Sequence, residues 1–127
     1  MTRAGLTLDT GALLAVERGD PRLRALLRRA VDHAIAIAVP AGAVAQAWRG
    51  GPRQARLAKL LADPEVDVPP LDELAARAVG LLCGRTGHRD VVGVHIALHA
   101  RENGYAVVTS DPGDMRAIDP TLTVIEL

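Results

Sequence analysis

The sequence predicts an α/β fold in which a largely parallel sheet lies between layers of helices. Short apolar runs that suit strands alternate along the chain with longer segments of helical periodicity. This alternation is typical of strand–helix–strand units, whose strands pair in parallel. With 127 residues, 49% of them hydrophobic, and no long polar or low-complexity stretch, residues 1–127 are predicted to form a single domain.

The first half of the chain is predicted to contain two strands and four helices. Asp9 ends the first strand, Pro21 suits the first turn of a helix, and Pro40 ends the second strand. The glycine pair Gly50–Gly51 stops the third helix. In order, the predicted elements are a strand over 5–9, helices over 11–18 and 21–34, a strand over 35–39, and helices over 41–51 and 53–63.

The second half is predicted to contain three strands, two helices and a short helical turn. Val92, Ile96 and Ala100 repeat at helical spacing, and Gly104 is a natural C-terminal stop. In order, the predicted elements are a strand over 66–70, helices over 71–85 and 88–104, a strand over 105–110, a helical turn over 112–118 and a final strand over 122–127.

Composition narrows the possible functions. The 15 basic and 15 acidic residues cancel, so contact with nucleic acid requires a local basic patch. The absence of Phe, with one Tyr and one Trp, excludes an aromatic stacking platform for single strands. The single cysteine, Cys83, excludes an intramolecular disulfide framework and is expected in the core. No signal peptide or long apolar run is evident, so we expect a cytoplasmic protein without a membrane partner.

Four acids are placed where strands and helices meet. Asp9 and Asp111 end the first and fourth predicted strands, Asp114 follows one short turn later, and Asp90 lies in the first turn of a helix. Neighbouring parallel strands would bring these carboxylates together at one edge of the sheet. Such acids repel one another unless a cation joins them, and Mg²⁺ and Mn²⁺ prefer carboxylate ligands. Taken singly, each acid is better explained as a cap or turn residue, but this explanation weakens for the group, because Asp9 and Asp111 end strands that are predicted independently.

Other constellations are weaker. His95 and His99 are spaced i,i+4 and could bind zinc, but no third ligand is evident. The segment "GHRD" (87–90) suggests a His–Asp catalytic pair, yet no serine or cysteine nucleophile lies in a recognisable context.

The ordered segments "LDTGALLAVERGD", "VPAGAVAQAWRGG" and "RDVVGVHIALHARENGYAVVTSDPGDM" resemble PIN-domain proteins and are similar to VapC-type toxins of bacterial toxin–antitoxin pairs. The resemblance covers essentially the full length. It implies a three-layer α/β/α domain and an endoribonuclease that uses Mg²⁺ or Mn²⁺. It also implies an RNA substrate such as tRNA or rRNA, a cognate antitoxin as a partner, and a homodimer.

The resemblance also assigns roles to single residues. Asp9 matches the first acid of the family's catalytic metal site. Asp111 and Asp114 match its C-terminal acids, and Thr109 matches the small hydroxyl residue that commonly precedes them. All three acids and Asp90 are therefore predicted to bind metal and to act in catalysis.

Two positions depart from the family pattern. Gln46 stands where a glutamate is usual, and Gly93 stands where an aspartate is usual. Gln46 can still ligate through its amide oxygen, while Asp90, one turn before Gly93, can take the missing acid's place. These departures leave open an alternative, a catalytically degenerate PIN-like binding module.

The predicted RNA contacts are Arg49, Arg53 and Arg56, beside the expected cleft. Arginines there can bind phosphates, although a charge run on a helix is also typical of a solvated face.

Overall fold

The computed structural model describes residues 4–127. This part of the chain contains five strands, seven helices and a 3-10 turn at Pro52–Gln54, and none of its helices has the length and apolar character needed to cross a membrane. The elements are β1 Gly5–Leu8, α1 Thr10–Arg18, α2 Pro21–Asp32, β2 Ala36–Ala38, α3 Ala41–Ala47, α4 Ala55–Ala62, β3 Val66–Asp67, α5 Glu73–Thr86, α6 Val91–Asn103, β4 Ala106–Thr109, α7 Pro112–Ile118 and β5 Val124–Glu126.

The five strands form one sheet in the order β3-β2-β1-β4-β5, and every neighbouring pair is parallel. The α/β fold predicted from the sequence is therefore confirmed, and the sheet is wholly rather than largely parallel. The pairing of β1 with β4 places Leu8 opposite Val108. The carboxyl ends of the first and fourth strands thus lie side by side.

Aliphatic side chains make up the core, as expected for a chain without phenylalanine. Leu8, Leu13, Leu23 and Leu57 are completely buried and join β1 to α1, α2 and α4. Thr7 lies between two core leucines on β1 and meets His99 of α6, so α6 covers the opposite face of the sheet. The sheet is therefore enclosed between two helical layers.

Several predicted boundaries were wrong. The third helix ends at Ala47 rather than at residue 51, because a loop with two positive-φ glycines follows Trp48. The third strand has two residues, Val66–Asp67, rather than the predicted 66–70. The helix predicted over 88–104 begins at Val91. Asp90 is consequently the N-cap of α6 and not part of its first turn.

The histidines of α6 lie in the protein interior. His95 is only 5% exposed, and its Nδ1 atom has no hydrogen-bond partner among the described residues. His99 Nδ1 lies 3.2 Å from the Thr7 hydroxyl, and its ring meets Tyr105 edge-on. Burial lowers the pKa of both histidines below the ordinary 6.5, against the partly compensating charge of Glu102.

We expect the protein to lose stability as the pH falls below about 6.5. His95 and His99 bind protons more weakly in the folded state than in the unfolded state, so protonation favours unfolding. Urea unfolding at pH 7.5 and 5.5 should give the smaller unfolding free energy at pH 5.5. The difference should shrink in His95→Leu and persist in His33→Leu, which changes an exposed histidine. Equal unfolding free energies for the wild type at the two pH values would contradict this account.

Candidate functional site

Asp9 lies at the carboxyl end of β1 and caps the helix that follows. Its backbone N–H donates to Val108 of β4 at 3.2 Å, which continues the β1–β4 pairing by one residue. Its carboxylate accepts from the Ala12 N–H at 2.8 Å as the N-cap of α1. The residue is only 7% exposed. Asp9 is therefore a buried carboxylate held in one orientation by the start of α1.

Asp111 comes close to Asp9 through Thr109. The Thr109 side chain is completely buried, hydrogen-bonds to Asp9, and accepts from the Asp111 N–H at 2.8 Å. Burial raises the pKa of Asp9, repulsion by Asp111 adds to the rise, and the bonds from Thr109 and the Ala12 N–H only partly offset it. Without a cation, the ionised form of Asp9 is therefore less stable relative to its protonated form than in a solvent-exposed aspartate.

Asp114 is tied both to Asp111 and to the loop before α6. Its backbone N–H donates to Asp111 Oδ1 at 3.1 Å, and Asp111 is the N-cap of α7. Its own carboxylate lies 3.0 Å from His88 Nε2. Asp114 therefore faces the loop that leads to Asp90, while the Asp111 carboxylate caps α7.

The Asp90 carboxylate occupies the space that a side chain at position 93 would need. Asp90 is the N-cap of α6, yet its side chain makes no capping hydrogen bond. A Cβ atom built on Gly93 would lie 2.6 Å from Asp90 Oδ2 and 3.6 Å from Ile118 of α7. Glycine at 93 therefore leaves room for the Asp90 side chain to lie over the first turn of α6, on the side that faces Ile118 of α7.

Gln46 is joined to the residue next to Asp9. The Thr10 hydroxyl donates to Gln46 Oε1 at 2.5 Å. This contact places the α3 side chain beside the start of α1, and hence near Asp9. The amide oxygen thus lies at the start of α1, and it carries no charge.

The three predicted arginines occupy two different places. Arg49 and Arg53 line a cavity of about 360 Å³ together with Gln46. The Arg49 guanidinium already donates to the carbonyls of Trp48 and Ala45. Arg56 lines a separate groove between α2 and α4 and donates to the Glu17 carbonyl at 3.3 Å. Two of the three therefore adjoin Gln46.

Sequence reasoning missed several residues at or near the site. Gln54 is 4% exposed, donates to Glu17 at 2.6 Å, and accepts from the Arg49 and Gly50 N–H groups, so it fixes the loop after α3. The Ser110 hydroxyl lies directly over Gly11, in the first turn of α1. Neither residue stands in a pattern that identifies it. The sequence did draw attention to His88, but it did not predict its contact with Asp114.

The structure thus brings Asp9 and Asp111 together and links Asp114 to Asp111. Within residues 4–127, no three His, Cys, Asp or Glu side chains are grouped so that they could hold a metal ion as they lie. No Lys or Arg in that range forms an ion pair with any of the four predicted acids. The available donors are carboxylate oxygens without Lys or Arg partners, which is the donor chemistry that Mg²⁺ and Mn²⁺ prefer.

The fold is shared with solved toxin–antitoxin structures. The chain is similar to FitAB bound to an IR36 DNA fragment, with 18% identity, coverage of 95% of this chain and 94% of that chain, and a TM-score of 0.65. It is also similar to VapBC2 from Rickettsia felis bound to a DNA fragment from their promoter, with 16% identity, coverage of 95% of this chain and 97% of that chain, and a TM-score of 0.70. For FitAcB from Neisseria gonorrhoeae, the identity is 20%, the coverage is 95% of this chain and 96% of that chain, and the TM-score is 0.65.

No protein-family model matches the chain, and no curated protein matches it. At identities this low, the likeness to solved structures concerns the fold. The chain has the PIN-like α/β/α fold that the sequence resemblance implied.

Replacing Asp9 by Asn should stabilise the metal-free protein. Asparagine keeps the N-cap of α1 and removes a buried charge whose pKa is raised, so we expect a gain of roughly 1 kcal/mol in unfolding free energy at pH 7.5 in EDTA. Urea unfolding measures it.

Asp119→Asn is the matched control. Burial opposes ionisation of Asp119, but bonds from Thr121 and the Arg101 guanidinium outweigh it and lower its pKa. That variant should therefore lose roughly 1–3 kcal/mol. A destabilised Asp9→Asn would show that the Asp9 charge is satisfied without a cation.

Proposed function

We propose that this protein is a metal-dependent endoribonuclease, a VapC-like toxin that hydrolyses phosphodiester bonds in RNA such as tRNA or rRNA. One observation carries the proposal: Asp9 and Asp111, from opposite ends of the chain, are linked through the Thr109 hydroxyl at the carboxyl edge of a parallel sheet, and neither forms an ion pair with a Lys or Arg among residues 4–127. The PIN-like fold agrees with it.

The four acids would hold Mg²⁺ or Mn²⁺ after their side chains close around the cation, since no three of them are grouped to hold one as they lie in residues 4–127. The bound cation would supply an activated water and neutralise charge that develops on the scissile phosphate. Asp9 contributes a carboxylate whose ionised form gains most from a cation, because burial and Asp111 both disfavour its charge. The Thr109 hydroxyl hydrogen-bonds to the Asp9 carboxylate and accepts from the Asp111 backbone N–H, so one side chain links the two acids.

Asp90 would supply the acid that position 93 lacks. Its carboxylate fills the space above Gly93 and is not used to cap α6. The substitution of Asp by Gly at 93 is then compensated within one helical turn. Gln46 has no such replacement, and its amide oxygen would contribute a neutral ligand or a hydrogen bond to a metal-bound water.

RNA would approach along the cavity beside Gln46. Arg49 and Arg53 line that cavity and offer positive charge to backbone phosphates. Arg56 lies in the α2–α4 groove and is a weaker candidate for this contact. The similar structures are FitAB and VapBC2 complexes, which supports a cognate antitoxin as the partner that silences the protein.

A catalytically degenerate PIN-like binding module is the second candidate. Gln46 favours it, because a neutral amide replaces a charged ligand and its oxygen already accepts from the Thr10 hydroxyl. The Asp90 carboxylate, which lies over Gly93 and does not cap α6, favours the ribonuclease, because it can replace the acid that position 93 lacks. A module of this kind can bind metal weakly, but it does not cleave RNA.

Cleavage of RNA should require divalent metal and Asp9. We expect the purified protein to cleave total tRNA in Mn²⁺ or Mg²⁺ and not in EDTA, and Asp9→Asn to lower the rate at least about 100-fold, because a neutral ligand weakens the metal site. Asp32→Asn, an exposed Asp-to-Asn change at the end of α2, is the control. Cleavage in EDTA would reject metal catalysis. Metal binding without any cleavage by the wild type would support the binding module.

The role of Asp90 can be tested by moving its carboxylate. Asp90→Asn should weaken Mn²⁺ binding about 10-fold in calorimetry, and Gly93→Ala should weaken it too, because the added Cβ displaces Asp90 Oδ2. The double variant Asp90→Asn/Gly93→Asp should recover affinity by returning the charge to position 93.

Gly84→Ala is the control, since a Cβ there meets open space. It should leave Mn²⁺ affinity unchanged while it favours the α5 helix. A double variant no better than Asp90→Asn would show that positions 90 and 93 do not serve one site.

A further inference from the structure

The loop before α6 places a histidine against one of the proposed metal-binding acids. His88 Nε2 lies 3.0 Å from Asp114 Oδ1, and the Asp114 side chain is 38% exposed. We propose that His88 is a positioning residue that holds the Asp114 carboxylate in the orientation needed for metal binding. This inference rests on the proposed function, because it assigns Asp114 to the metal site.

The His88 backbone is itself held in place. Its N–H donates to the Thr86 hydroxyl at 3.2 Å, and that hydroxyl donates to the Leu82 carbonyl at 2.9 Å. Gly87 ends α5 in the left-handed conformation, which turns the chain toward α7. The imidazole therefore projects from a fixed helix end and is only 21% exposed.

Toward a carboxylate in its ionised form, the ring can only donate. Such a carboxylate has no hydrogen to give, so the contact then requires the proton on Nε2. The other ring nitrogen, Nδ1, is buried and has no hydrogen-bond partner among residues 4–127. A neutral ring therefore has its proton on Nε2 and a bare Nδ1.

This hydrogen bond leaves Asp114 Oδ2 available. Among residues 4–127, the Asp114 side chain has no other hydrogen-bond partner, while its backbone N–H donates to Asp111. Without His88 the carboxylate could rotate on its helix, and a cation would have to order it. Partners that orient metal-binding carboxylates in this way typically alter metal affinity 10–100-fold.

Two substitutions of His88 distinguish the effect of its N–H donor from the effect of its side-chain volume. His88→Gln keeps an N–H donor near the Nε2 position, whereas His88→Leu keeps apolar bulk without a donor. Mn²⁺ calorimetry should show that His88→Leu binds about 10–100-fold more weakly and that His88→Gln stays close to the wild type. His33→Leu, an exposed histidine at the end of α2, should leave affinity unchanged.

A metal-free measurement completes the test. Nitrogen NMR of the protein in EDTA should show the His88 proton on Nε2, and Asp114→Ala should shift that signal. A neutral ring with its proton on Nδ1, His88→Leu with wild-type affinity, or His88→Gln as weak as His88→Leu would each overturn the assignment. A wild type that binds no Mn²⁺ rejects the proposed metal site itself, whereas unchanged affinity in His88→Leu rejects only His88.

Discussion

The parallel pairing of β1 with β4 is the constraint on which the site depends. It sets the carboxyl end of the first strand beside that of the fourth, so Asp9 and Thr109 lie next to each other although they come from opposite ends of the chain. Asp111 and Asp114 follow from Thr109 by hydrogen bonds within one short turn. If this pairing slipped by one residue, Asp9 would face the other side of the sheet.

The same pairing creates an electrostatic cost. Asp9 is buried, and Asp111 repels its charge, while α1 and Thr109 offer only hydrogen bonds. The fold therefore holds carboxylates close together in a place where burial and mutual repulsion disfavour their ionisation. A group that binds protons more tightly than usual without a cation is also one that a divalent cation can stabilise. A cation bound at the proposed metal site would offset this electrostatic cost.

The sequence was sufficient for the features that depend on local pattern. Strand ends at Asp9 and Asp111, the alternation of strands and helices, and the departures at Gln46 and Gly93 could all be read from spacing or from the PIN-domain resemblance. The contact of Asp90 with the space above Gly93 depends on a side-chain rotamer that no pattern encodes. His88 meets Asp114 just after α5 ends at Gly87, and Gln54 bonds to a loop whose glycines the sequence predicts only as a helix stop.

The most direct test of this account is the position of a bound cation. Crystals of the wild type soaked in Mn²⁺ and measured at the manganese absorption edge should show an anomalous peak within coordinating distance of both the Asp9 and the Asp111 carboxylates, about 2.0–2.2 Å from the nearest oxygens. A peak that touches neither acid, or no peak at a Mn²⁺ concentration that saturates binding in solution, would contradict the claim that the β1–β4 edge is a metal site.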